Sequence, residues 1–260
     1  MTFAASSMPA EGAREPARAA DAHSHGEALL RDGVVLMEDV IEPALLEDCA
    51  AFIAPEGDYA ALGEGAQRTN RGRFFTALAI DGPLADPQVF ANPAVLALAH
   101  RVLDGDVVLD SFGLIVSLPG SAAQHPHVDG CLFPTSPVEQ MLPPYALTLA
   151  MPLVRMDERS GTTALHRRSH RGKGGTAPDC MPVVEPGSAL VWDYRTRHFG
   201  QANRSPDPRP VLFAVYCRSW WQDAANFDGG RARKLTVAPG VRDALDPHRD
   251  LLARAGSTLQ

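Results

Sequence analysis

The chain has 260 residues, 45% of them hydrophobic and 21% charged, with a formal net charge of −7. That is enough for one well-packed domain, and the acidic balance argues against nucleic-acid binding, which needs clustered Lys and Arg. No run of about 18 uncharged apolar residues is present, so a membrane-spanning helix is excluded.

Cys49, Cys131, Cys180 and Cys217 form no C-x-x-C pair, which argues against a zinc knuckle or a redox dithiol and leaves free thiols in a reducing compartment. With no charged and then apolar leader, the expected location is the cytoplasm.

In chain order, residues 1–22 lack apolar periodicity and read as a disordered tail. Residues 23–237 read as the folded domain. Its first elements are a strand over Gly33–Met37 and an amphipathic helix opened by Pro43, with apolar residues at 45, 46, 49, 52 and 53. A second helix opens at Asn92-Pro93 and runs to Leu103. The texture then changes to short β-type runs over 107–109, 114–118, 146–153, 189–192 and 211–216, separated by Pro-Gly turns. Helices first and short strands afterwards predict an α+β chain on an all-β core, sandwich or jelly roll. Residues 238–260 are polar and read as peripheral.

The chemistry starts at Gln124-His125-Pro126-His127-Val128-Asp129-Gly130. In extended backbone, alternate residues point to one side, so His127 and Asp129 can face a common point. An H-x-D pair alone is weak, since about one is expected by chance in a chain of this composition. A second, His248-Arg249-Asp250, lies in the polar end with no histidine after it, and we reject it. The first pair gains meaning from Trp192-Asp193-Tyr194-Arg195-Thr196-Arg197-His198, a strand and corner ending in a second imidazole. Two histidines and one carboxylate form a facial set that leaves positions open on an octahedral iron(II). Arg209 then enters the apolar strand 211–216. A buried guanidinium there needs an anion, and the distal carboxylate of 2-oxoglutarate is a natural one.

Taken together, these segments resemble the phytanoyl-CoA dioxygenase family of iron(II)/2-oxoglutarate oxygenases, from about Gly26 to Tyr216. The resemblance rests on Arg31-Asp32-Gly33-Val34-Val35, His127-x-Asp129, Ser160-Gly161-Thr162-Thr163 before Ser169-His170, and Trp192-Asp193-x-Arg195-x-x-His198-x-Gly200-x-x-Asn203-x-Ser205-x-x-x-Arg209. It implies a double-stranded β-helix (a cupin-like jelly roll) flanked by N-terminal helices. It also implies iron held by His127, Asp129 and His198, 2-oxoglutarate held by Arg209, and consumption of O2 with release of succinate and CO2. The expected reaction is hydroxylation, or another oxidation, of an unactivated C–H bond in a small organic molecule. Where the family usually reads Pro-Gly-Ser-His, this chain has Arg167-Arg168-Ser169-His170, which puts that turn's geometry in question.

Weaker candidates are Gln124 and Thr148 as cosubstrate contacts, Arg71 or Arg73 in a polar loop over 69–75 at the cavity mouth, and Trp220, Trp221 and Phe227 as pocket walls. His125 reads as a surface or supporting residue, and His166 and His170 as solvent-facing. Two other readings compete: a metal-binding cupin without oxygenase activity, serving as isomerase or sensor, and a catalytically silent relative. Neither gives Arg209 a purpose.

Overall fold

A computed structural model describes residues 14–64, 66–134, 136–223 and 235–257 of the chain. In chain order the elements are α1 (Arg14–Asp32), β1 (Val34–Met37), α2 (Pro43–Ile53), β2 (Gln67–Asn70), β3 (Arg73–Ala77), β4 (Ala79–Ile80), α3 (Pro87–Phe90) and α4 (Pro93–Leu103). There follow β5 (Val107–Ser117), β6 (Ala146–Pro152), β7 (Thr163–Leu165), β8 (Ala189–Asp193), β9 (His198–Gly200), β10 (Arg209–Arg218), β11 (Thr236–Val237) and β12 (Gly256–Ser257).

Local chemistry sets the helix ends. Asn92 Oδ1 accepts from the amides of Ala94 and Val95 and caps α4, with Pro93 in the first turn. Gly33 ends α1 with φ of +79°. A Cβ there would lie 2.5 Å from both His170 Nδ1 and Thr196 Oγ1, so the glycine also admits a close crossing. The helix starts at Arg14, ahead of the expected tail boundary at 22; residues 1–13 lie outside the described ones.

Seven strands form one antiparallel sheet in the order β1-β8-β6-β10-β5-β3-β2. Its central strands β5, β6 and β10 are buried on both faces, which is why they read as continuous apolar runs rather than alternating ones. The two faces are nonetheless distinct, with the alternation on β5 reset once, at a bulge between Leu109 and Ser111. Phe74, Phe112, Leu114, Val116, Leu147, Leu149, Leu212, Ala214 and Tyr216 join helical residues such as Leu46, Leu98 and Leu103 in the main core. The alternate residues, among them Arg73, Ser111, Thr148, Trp192, Arg209 and Phe213, line a cavity on the other face. That cavity is closed by the small β7-β9 sheet, which contributes Thr163, His198 and Gly200. Two sheets around a lined cavity make this the expected jelly roll.

Three expectations need correction. The runs 107–109 and 114–118 are one strand, β5. The polar Asp110 between the two runs is buried and paired with Arg254 Nη1 at 2.7 Å. The segment from Ala238 is not merely peripheral. Leu245, Leu251 and Leu252 are buried in the main core, and Leu251 O accepts from Leu109 N. Fully burying a leucine stabilises by about 1.5–3 kcal/mol, so apolar content that looks sparse in sequence still anchors this end. The polar stretch 69–75 is a β2–β3 hairpin turning at Gly72 (φ +72°), not a loop.

Candidate metal centre

His127 and His198 form an antiparallel bridge, each donating its backbone N–H to the other's carbonyl, at 2.9 and 2.8 Å. Side chains of such a pair leave the sheet on the same side, and the two imidazole centroids are 4.5 Å apart. Two residues on, Asp129 N donates to Tyr194 O, which keeps the segment extended and returns the carboxylate to that side. One donor atom from each of His127, Asp129 and His198 lies within 4.8 Å of the others.

The ring nitrogens are sorted by their neighbours. His127 Nδ1 lies 2.8 Å from His125 O, and His198 Nδ1 lies 2.9 Å from Thr196 O. A carbonyl only accepts, so each Nδ1 carries the proton and each Nε2 presents a lone pair. Burial also holds His198 below its ordinary pKa, despite the opposing pull of Asp129, which favours the neutral, ligating form. Asp129 Oδ1 stands 3.6 Å from His198 Nε2. Its other oxygen accepts from Thr148 Oγ1 at 2.7 Å and Trp192 Nε1 at 3.0 Å. A divalent cation at this point would meet two imidazole nitrogens and one carboxylate oxygen, a donor set that fits iron(II).

The same cavity, about 150 Å³, holds two arginines. Ser117 of β5 is flanked in register by Arg73 on β3 and Arg209 on β10, so both guanidinium groups leave the sheet side by side. They are 2% and 3% exposed, and among the described residues neither has a carboxylate partner. Arg209 donates to the carbonyls of Ser160 and Gly161 and, at 2.8 Å, to Ser117 Oγ. Arg73 donates to Gln201 O at 2.7 Å and lies 3.4 Å from Gln124 Oε1. Each keeps an unpartnered Nε. Burial, and for Arg209 the neighbouring Arg73, pushes their pKa values down to about 9 for Arg209 and about 10 for Arg73. Two buried cations facing one cavity fit a dianionic guest.

Glycines make room for these groups. A Cβ on Gly200 would sit 1.9 Å from Arg73 Nη1, and one on Gly161 would sit 2.7 Å from Arg209 Nη1.

His127, Asp129, His198, Arg209, Thr148 and Gln124 therefore all line one cavity. Thr148 reaches it through Asp129, and Gln124 braces Arg73 while accepting from Gly200 N at 2.9 Å. Arg73 was one of two arginines considered in sequence; its strand parity with Phe75 was the signal that singles it out. Trp192 was read only as part of a motif, and its indole contact with Asp129 had no signal of its own. His166 and His170, expected in solvent, are buried. The short turn Ser169–Arg171 folds them inward between outward-facing arginines. Trp220 is exposed, while Trp221 packs on Tyr145 and Tyr194; neither lines the cavity. Phe227 lies outside the described residues. The atypical Arg167-Arg168 turn is kept, with Arg168 in the left-handed region at φ +62°.

The family model described as phytanoyl-CoA dioxygenase matches residues 29–211. "Dioxygenase af480" of Aspergillus fumigatus is 25% identical over 167 residues, covering 60% of this chain. The chain matches 53% of that protein, about half its length. Among solved structures, the non-heme alpha-ketoglutarate-dependent epimerase SnoN from nogalamycin biosynthesis aligns with a TM-score of 0.61 at 21% identity. The match covers 83% of this chain and 93% of that one. The carbocyclase SnoK from nogalamycin biosynthesis aligns at 0.59 and 17% identity, over 75% and 83%. At these identities the structural likeness establishes the fold. No helix among the described residues is long and apolar enough to cross a membrane.

Proposed function

The chain belongs to the phytanoyl-CoA dioxygenase family, and from that premise we propose that it is an iron(II)- and 2-oxoglutarate-dependent oxygenase acting on a C–H bond of a small organic molecule. The observation that carries this reading is the pairing, in one cavity, of a His-Asp-His donor set with two buried arginines that have no carboxylate partner among the described residues. A cupin isomerase would need only the first. Bound iron with 2-oxoglutarate supplies the oxidising power, consuming O2 and yielding succinate and CO2. The protein's part is to hold, orient and exclude. His127 and His198 present Nε2, Asp129 presents Oδ1, and Arg209 with Arg73 receives the distal carboxylate.

Beyond the arginine rung the cavity is lined by Phe75, Ile115, Phe213, Val215 and Tyr194. Phe75 and Phe213 lie 5.3 Å apart, so the group presented for oxidation meets an apolar, aromatic surface. Hydroxylation is the reading for the product. Epimerisation and ring formation, named for SnoN and SnoK, are the alternative outcomes.

The test is succinate formation from 2-oxoglutarate in air with added iron(II). Wild type should turn over slowly even without substrate, and Asp129→Ala should not. Succinate formation that is equal in both would overturn the proposal. Once a substrate is found, product labelled from 18O2 identifies hydroxylation, and unlabelled product identifies a different outcome.

A further inference from the structure

We infer that Thr148 and Trp192 act as a paired clamp that restricts Asp129 to binding metal through one oxygen, a positioning role that rests on the metal site proposed above. The two residues are direct cross-strand neighbours, Thr148 on β6 opposite Trp192 on β8. Both belong to the parity that faces the cavity. Each points a donor at the same atom, Asp129 Oδ2, at 2.7 Å from the hydroxyl and 3.0 Å from the indole.

The chemistry of these groups fixes the direction of both bonds. An ionised carboxylate accepts only, and an indole N–H donates only. The threonine hydroxyl must therefore donate as well. A carboxylate oxygen offers about two lone-pair sites, so Oδ2 is saturated. Oδ1, the oxygen 3.6 Å from His198 Nε2, is left for the cation.

The restriction has a functional consequence. A six-coordinate metal with two imidazoles and one carboxylate oxygen keeps three positions open. A chelating 2-oxo acid would need two of them, so a third would have to stay free. If Asp129 swung to bind through both oxygens, that last position would be lost. The sheet register thus favours the open coordination number, because it holds the two donors' backbones side by side and releasing Asp129 Oδ2 would take a rotamer change in both side chains. Thr148 consequently acts through Asp129 rather than on the cosubstrate.

The test uses full-length protein with Mn(II) as a redox-stable probe. Infrared difference spectra, metal-loaded minus metal-free, are recorded on protein carrying 13C-carboxyl aspartate. The separation between the antisymmetric and symmetric carboxylate stretches reports whether one oxygen or two bind. Wild type should give the wide separation of one-oxygen binding. Thr148→Val, which keeps shape and removes the donor, should narrow it and change Mn(II) affinity by roughly tenfold or more. Thr148→Ser should restore the wild-type pattern. Trp192→Phe should narrow the separation too, but it also leaves a packing gap, so the threonine variants decide. An unchanged separation in Thr148→Val, or a narrow one already in wild type, overturns the clamp while leaving the metal site standing. Failure of wild type to take up Mn(II) overturns the site and the clamp together.

Discussion

The two ends of the cavity are built on opposite principles. At the end of the proposed metal site, the polar atoms of His127, His198 and Asp129 that do not face the centre already have partners: the two Nδ1 atoms have carbonyls, and Asp129 Oδ2 has two donors. At the arginine end, two buried guanidinium groups keep unpartnered Nε atoms and no carboxylate among the described residues. The first end is finished before any guest arrives, as a site that must fix ligand geometry should be. The second is electrostatically incomplete, so an entering dianion gains there what burial of the cations had cost. The contrast predicts that the metal end controls whether anything binds, and the arginine end controls what.

The largest effect breaks both ends at once. Asp129→Ala should abolish stoichiometric iron(II) binding and, with it, chelation of 2-oxoglutarate, read by calorimetry under anaerobic conditions. Retained metal would mean the carboxylate is not a ligand. Next, Arg209→Ala should leave metal affinity intact and weaken 2-oxoglutarate binding. Truncating one side of a buried charge pair costs about 2–5 kcal/mol, roughly thirty- to several-thousand-fold. Equal loss of metal and cosubstrate in this variant would erase the distinction between the ends. A smaller test is indirect: Gly200→Ala puts a methyl where Arg73 Nη1 lies, so it should mimic Arg73→Ala in cosubstrate affinity. If the alanine variant binds normally, Arg73 does not take part.

How much of this could be read from the sequence follows from the same contrast. The clustering of His127, Asp129 and His198 was legible in part because alternate residues of an extended segment face one side, and in part because the family resemblance joins the distant His198 to that pair. Arg209 was legible because a charge beside an apolar strand demands an explanation. Arg73 could not be told from Arg71, and Gly161 and Gly200 had no role of their own, because they meet Arg209 or one another only through the pairing of β3, β5 and β10 and the small sheet. Nor was the burial of His166 and His170, since the arginines around them describe the outer side of a tight turn.

That turn supplies two smaller predictions away from the cavity. Arg168 occupies a left-handed position where a side chain is strained by about 1 kcal/mol, and its ion pair with Asp32 is long at 3.8 Å and exposed on the arginine side. Arg168→Gly should therefore raise stability by up to about 1 kcal/mol in denaturant unfolding, with cavity binding unchanged. A loss of stability would mean the side chain's contacts outweigh the strain. His170 is the smallest case. Burial lowers its folded-state pKa below the ordinary value of 6.5, so the unfolded chain binds more protons as pH falls through that value. Its contribution is intact above about pH 6.5 and declines on acidification until the folded-state pKa is passed. His170→Asn in the metal-loaded protein should show a flatter fall in Tm between neutral and mildly acid pH than wild type. A steeper fall would contradict it.

The most direct test joins the two ends. Purified protein is mixed anaerobically with iron(II), 2-oxoglutarate is titrated in, and the weak visible charge-transfer band of the chelate is followed. Wild type should give a band, Arg209→Ala the same band at much higher 2-oxoglutarate, and His198→Ala none. Stoichiometric bound iron with no band in wild type would contradict the proposal, and would return Arg209 and Arg73 to a purely structural role.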